Sequence, residues 1–214
     1  MQKTVIGGNY WLGRRCDCYY HALYPGMKSP DNPIPFVNDL KNDFGERCMF
    51  QIEQCEKILK ELLVKDFSQL VYQYGNLTVV GVPRSKKESA YRHSQMGLKR
   101  AIRAAVKNNP CLKDGMDYIV RHSDTCTTHL YRCGCGGAGS RPYRGITKAT
   151  CILSPEIAGK DILLVDDIYT PTCGIDEDAA SALFEAGARS VVFYAVGHTI
   201  LRSSMNLNSA LIMI

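Results

Sequence analysis

Apolar and polar positions follow several distinct rhythms along this chain. From about Phe44 to Phe67, the residues Met49, Ile52, Ile58, Leu59, Leu62 and Leu63 recur at spacings close to three and four, which predicts a helix. Leu77 to Val82 is a continuous apolar run ended by Pro83, and it reads as a buried strand. A second helix is predicted from near Ser94 to Lys107. Leu98, Ile102 and Val106 share one face, and Lys99, Arg100 and Arg103 lie elsewhere. Tyr118-Ile119-Val120 is a short strand candidate. Ile162-Leu163-Leu164-Val165 is an apolar strand that runs into two acids, Asp166 and Asp167. Asp176 to Ala186 reads as a helix with Ala179, Leu183 and Ala186 on its apolar face and Gly187 as its stop. Val191 to Val196 is the next buried strand.

Strands that are apolar throughout are covered on both faces, and strand, helix and strand in this order make a parallel unit. The fold class expected is therefore α/β, a doubly wound and mainly parallel sheet. The first 36 residues are rich in Gly, Tyr and Pro and read as short strands and loops, with the aromatic run Cys18 to Tyr24 packed as a cover. A single domain over 1–214 follows, with a small N-terminal hood or cover at 1–43, a core at 44–199 and a C-terminal extension at 200–214. Cys133 to Gly145 is Gly-rich, basic and aperiodic, the composition of a mobile loop.

With 214 residues, 45% of them hydrophobic and 22% charged, the chain has the make-up of an ordinary globular domain. No apolar run reaches the roughly 18–20 residues that cross a bilayer, and the start lacks a signal-peptide core. A cytoplasmic protein without membrane partners is expected. The net charge of +5 suits an anionic ligand and equally a solvated basic surface. No basic stripe with interleaved aromatics is present, so nucleic acid is not an expected partner. A homodimer is left open. The 10 cysteines come with no export signal, so no disulfide framework is expected. Cys16/Cys18 and Cys133/Cys135 could close a tetrahedral zinc site if the pairs met. Reduced thiols and no protein metal site are the expectation, with Cys48 and Cys55 sharing one helix face as core packing.

Three stretches carry candidate chemistry. In parallel sheets ligands sit beyond the carboxyl ends of the strands, where Asp166 and Asp167 fall. Adjacent carboxylates there can accept hydrogen bonds from ribose hydroxyls or face a divalent ion. The following segment, with Thr170, Pro171, Thr172, Cys173 and Gly174, leads into a helix N-terminus that can hold a phosphate. The same acids could simply favour that helix end, and the residues alone leave both readings open. The second stretch is the basic turn after Val82, in which Arg84 offers a bidentate fork, Ser85 a hydroxyl and Lys86 or Lys87 a point charge. The third, Arg121 to His129, is dense in hydroxyls and imidazoles that could donate to phosphate or move protons.

Gly159 to Thr170, GKDILLVDDIYT, resembles the phosphoribosyl pyrophosphate motif of type I phosphoribosyltransferases, and is closest to the ComF-like branch. Glu185 to Val191 is similar to that family's helix end and next strand. The resemblance implies that Asp166 and Asp167 act at the ribose 2- and 3-hydroxyls and that Thr170 to Gly174 holds the 5-phosphate. It also implies that Arg84, Ser85 and Lys86 meet the pyrophosphate. Arg132, Arg141, Arg144 and Lys148 would approach it from the loop that precedes the acid-pair strand, with Mg2+ as cofactor. The activity implied is transfer of a phosphoribosyl group to a nitrogen acceptor. A non-catalytic nucleotide or ribose-phosphate sensor or adaptor on the same fold, linked to DNA processing, is the alternative. The chain departs from the family's Thr-Thr-Gly pattern: Pro171 has no N–H, and Thr172 stands where the glycine lets backbone approach phosphate. Thr170 stands where purine-salvage relatives carry an acid.

Overall fold

The computed structural model describes residues 1–43, 45, 47–125 and 145–200. Its strands are β1 (Gln2–Gly7), β2 (Arg15–Tyr24), β3 (Leu77–Gly81), β4 (Leu112–Asp114), β5 (Ile119–Arg121), β6 (Cys151–Leu153), β7 (Asp161–Tyr169) and β8 (Ser190–Thr199). Its α-helices are α1 (Phe36–Lys41), α2 (Met49–Tyr74), α3 (Gly97–Val106) and α4 (Ile175–Glu185). Six strands form one sheet in the order β1-β2-β8-β7-β3-β4, and β5 and β6 form a separate antiparallel pair. Every pairing in the large sheet is parallel except β1 with β2.

The apolar strands of the central sheet are covered on both faces, as their sequence requires. Along β7, Leu163 and Val165 face a core built with Leu40, Ile52, Leu59, Leu63, Phe67 and Ile102, the inward residues of α1, α2 and α3. Ile162 and Leu164 face the other way, onto Ala179, Ala180 and Leu183 of α4 and Ile119 of the small hairpin. Period-two alternation thus sorts one strand between two helical layers. On α2 the buried positions Ile52, Cys55, Leu59, Leu63, Phe67 and Leu70 keep the three–four spacing of a single stripe. Asp66 lies in that stripe, fully buried, and is satisfied by the Tyr194 hydroxyl at 2.8 Å and His21 Nδ1 at 2.9 Å.

Two expectations need correction. Residues 1–43 do not form a cover as a unit. β1 and β2 enter the large sheet, where β2 runs parallel to β8 and supplies the hydrogen-bonding edge that β8 would otherwise leave open. Tyr19 and Tyr24 of the aromatic run face the α2 side, and Cys16 and Cys18 face the α4 side. Cys48 and Cys55 also do not share a buried face. Cys48 is the exposed N-cap of α2, held by its backbone N–H to Gln51 Oε1 at 3.0 Å, and Cys55 alone is buried.

No described helix is long and apolar enough to cross a membrane. The described cysteines are all free thiols. Burial pushes the Cys16 thiol up to about 11 and raises Cys18 further, which favours core packing over thiolate chemistry. Cys126, Cys133 and Cys135 lie outside the described residues, as do His129, Arg132, Arg141 and Arg144.

Candidate functional site

The order of the strands defines where a ligand can enter. From β3 the chain crosses outward to β4, then returns to the other side of β3 as β7 and continues to β8. The direction of winding therefore reverses between β3 and β7, and the crevice beyond their carboxyl ends is a topological switch point. The loop after β3 and the end of β7 meet there. Gly81 pairs with Val165, and the Val82 N–H donates to the Val165 carbonyl at 2.9 Å. This brings the basic turn and the acid pair to one cleft of about 100 Å3, whose lining includes Arg84, Lys86, Asp166 and Asp167. The inner wall is apolar, with Met116, Ile102 and Ile119, and Met116 fills the space that a side chain at position 81 would need.

The acid pair is tied into its surroundings on both sides. Asp167 is 8% exposed and forms an ion pair with Lys41 Nζ at 2.8 Å, which comes from the end of α1. Burial works against the charge on Lys41, but Asp167 and Asp166 outweigh it and its pKa rises. Asp166 is half-buried and hydrogen-bonded, side chain to side chain, with Asp176 in the first turn of α4. Burial, then the neighbouring charge of Asp167, raises Asp166 to about 7. Asp176, only 3% exposed, is raised well above an ordinary carboxylate by burial and by the neighbouring Asp166. Tyr169 donates to Glu177 Oε1 at 2.8 Å, and Asp178 Oδ2 accepts the Ile146 N–H at 2.8 Å. The first turn of α4 is thus lined with three acids, the polarity its dipole prefers.

The loop from Thr170 to Gly174 closes on itself through the Cys173 N–H and the Thr170 carbonyl at 3.0 Å. The Thr170 hydroxyl meets that of Thr199 at 2.9 Å, and Thr172 is exposed. Gly174 has φ +67, and an added Cβ would lie 2.7 Å from the Trp11 ring. Glycine is needed there for both its backbone region and the approach of Trp11.

Arg84 does not project freely. Its guanidinium forms an ion pair with Asp43, donates to the Gln95 carbonyl at 2.8 Å and the Lys41 carbonyl at 3.3 Å, and stacks 4.2 Å from the Tyr91 ring centre. The basic turn is propped by the third stretch. Arg121, 6% exposed, donates to the Arg84 carbonyl at 2.6 Å, and Thr125 N–H donates to the Ser85 carbonyl at 2.7 Å. The Lys87 N–H donates to Asp124 Oδ1 at 2.9 Å, and the Lys86 N–H to the Tyr91 hydroxyl at 3.0 Å. Lys86 itself is exposed at the mouth. The described hydrogen bonds of Arg121 go to backbone carbonyls, a scaffolding role. His122 contacts Ser123 Oγ at 2.9 Å and the Lys148 carbonyl at 3.4 Å, away from the acid pair.

The structure therefore brings Asp166, Asp167, Arg84 and Lys86 into one cleft, whereas Ser85 and the Thr170–Gly174 loop are not among its lining residues and that loop's contacts run to Thr199 and Trp11. Sequence reasoning missed Lys41, which lines the cleft, and Asp43, which pairs with Arg84 beside it. Asp176 was visible only as the start of a helix. Among the described residues, no three His, Cys, Asp or Glu side chains converge as a metal site. Neither a scan against protein-family models nor a search of curated proteins found a match.

Proposed function

We propose that this protein binds a ribose phosphate, with phosphoribosyl pyrophosphate as the ligand of choice, and transfers the phosphoribosyl group to a nitrogen acceptor in the manner of a type I phosphoribosyltransferase. The observation that carries the reading is the meeting of the Asp166/Asp167 pair and the Arg84–Lys86 turn at the switch point between β7 and β3. Carboxylates there accept from the 2- and 3-hydroxyls, and the basic turn receives the leaving pyrophosphate. The Thr170–Gly174 loop at the start of α4 faces the 5-phosphate. The nitrogen attacks the ribose C1 as its bond to pyrophosphate breaks, through an oxocarbenium-like transition state. The protein's part is to orient the sugar, neutralise the leaving group and exclude water. Magnesium would arrive on the pyrophosphate, whose oxygens are its natural ligands, and add positive charge there.

A non-catalytic sensor on the same site is the second reading. What favours it is Pro171 and Thr172 in the phosphate loop, where donors and close backbone approach are reduced. Titration calorimetry with phosphoribosyl pyrophosphate and magnesium tests the ligand, with Asp166→Asn/Asp167→Asn beside the wild type. Each charged hydrogen bond lost is worth roughly 1.5–3 kcal/mol, so the double variant should bind about tenfold or more weakly. Thermal melts of both proteins keep loss of fold apart from loss of site. Equal binding by the two would refute the assignment of the acid pair. Binding by the wild type with no turnover across nucleobases and ammonia would favour the sensor.

A further inference from the structure

We infer that Lys41 and Asp43 are built-in competitors of the ligand, one turn of chain that occupies both the acidic and the basic half of the site. This inference rests on the ribose-phosphate reading. Lys41 places an N–H donor on Asp167, at 2.8 Å, where that reading puts a ribose hydroxyl. Two residues later, Asp43 places carboxylate oxygens on the Arg84 fork, where it puts a phosphate. The two side chains thus present to the cleft the donor and acceptor groups that a sugar phosphate would present.

The turn that carries them is built for this placement. Lys41 is the last residue of α1, and Asn42, its C-cap, has φ 43. It is the one non-glycine among the described residues with a positive φ. That left-handed step ends the helix and directs positions 41 and 43 toward two different partners. Asn42 is 5% exposed and clamps the turn. Its backbone N–H donates to the Asp39 carbonyl at 3.1 Å, its side-chain amide donates to the Arg47 carbonyl at 3.2 Å, and its Oδ1 accepts the Arg47 N–H at 3.1 Å. The contacts themselves remain within reach of solvent: the side chains of Lys41, Asp43 and Arg84 are 28%, 20% and 29% exposed. Charge is balanced pair by pair, so an entering anion meets Arg84 already neutralised. Arg84 keeps its carbonyl acceptors and its Tyr91 stack when Asp43 is displaced, so its fork stays oriented.

The inference makes a prediction of sign. Residues that merely hold the site together weaken binding when removed, whereas competitors strengthen it. Asp43→Asn is nearly isosteric and takes away one charge. Its affinity for phosphoribosyl pyrophosphate with magnesium, and for inorganic pyrophosphate with magnesium, should rise about tenfold, because a charge-assisted contact no longer has to be broken. Lys41→Met provides a second variant at the other half. It should tighten phosphoribosyl pyrophosphate, which has hydroxyls, and leave inorganic pyrophosphate no tighter. Glu88→Gln removes a charge from the mouth of the same cleft, where Glu88 pairs with Lys99, and controls for net charge alone. Calorimetry on the full chain, with a thermal melt of each variant, reads all of these. Tighter binding by Asp43→Asn but not by Glu88→Gln supports the inference. So does binding by Asp43→Asn where the wild type shows none. Wild-type binding with Asp43→Asn equal or weaker overturns it and leaves the ribose-phosphate reading standing, as does an equal gain in Glu88→Gln. No binding by the wild type or either variant overturns both.

Discussion

Strand β7 carries one acid at its start and another at its sixth position, and the two behave in opposite ways. Asp161 opens the strand. It is bound by the Arg189 guanidinium and by the Ser190 hydroxyl at 2.7 Å, which hold its carboxyl down at about 2. Asp166 lies five residues on, where the strand reaches the cleft, and is raised to about 7. The same residue type on the same strand is shifted in both directions because the supply of partners differs. At the opening end, one acid has a cation and a hydroxyl to itself near solvent. At the cleft end, Asp166, Asp167 and Asp176 crowd together, and Lys41 is taken by Asp167. The opening end is arranged to hold the fold together. At the cleft end, Asp166 and Asp176 sit in surroundings that disfavour their charge.

The largest effect expected is at the turn that follows the cleft acids. Gly174→Val would force a branched side chain into φ +67 and into the Trp11 ring. The backbone penalty and the overpacking should together cost about 2–5 kcal/mol, read as a lowered urea midpoint. A midpoint near that of the wild type would mean that the loop moves away from Trp11 at no cost.

Asp166→Asn sharpens the contrast more directly. A carboxyl raised to about 7 has a stabilising proton below its unfolded pKa, near 4, and loses that contribution as pH rises to about 7. Asparagine stays neutral throughout. At pH 8 the variant should be more stable than the wild type, by on the order of 2 kcal/mol for a half-buried group, and the gap should close toward pH 4. A gap that is constant with pH would show that Asp166 titrates normally.

Asp161→Asn should give the smallest change and the opposite sign. A carboxyl depressed to about 2 contributes stability above its unfolded pKa near 4 and loses it as pH falls to about 2. The variant should therefore melt slightly lower than the wild type at pH 7 and converge with it in acid. Because Arg189 is largely exposed, salt should shrink the difference. A loss as large as the Asp166 gain would contradict the comparison.

The apolar heart of β7 could be seen in the sequence, but its run through the acid pair to Tyr169 and the chemistry of its acids could not. The run Ile162 to Val165, its acids, the helix from Asp176 and the strand from Val191 follow from local periodicity, and the structure keeps them within a few residues. The meeting of the Val82 turn with Asp166 was expected from the order of elements, and β3 does lie beside β7. The expectation of Arg84 as an open phosphate fork overlooked Asp43, which is 41 residues away along the chain. The expectation of an N-terminal cover overlooked the need of β8 for a neighbouring strand. Neither dependence leaves a periodic mark.

The sequence by itself determined which segments are strands and helices and which faces are apolar. It also determined that acids, hydroxyls and basic residues stand at strand ends. These properties depend on side chains a few positions apart, whose geometry is set by the backbone period. The tertiary structure alone decided that Lys41 pairs with Asp167, that Asp176 is buried against Asp166, and that Trp11 backs Gly174. Charge state and partner choice depend on distances between residues remote in sequence and on the burial they impose on each other, and those distances exist only once the sheet has formed.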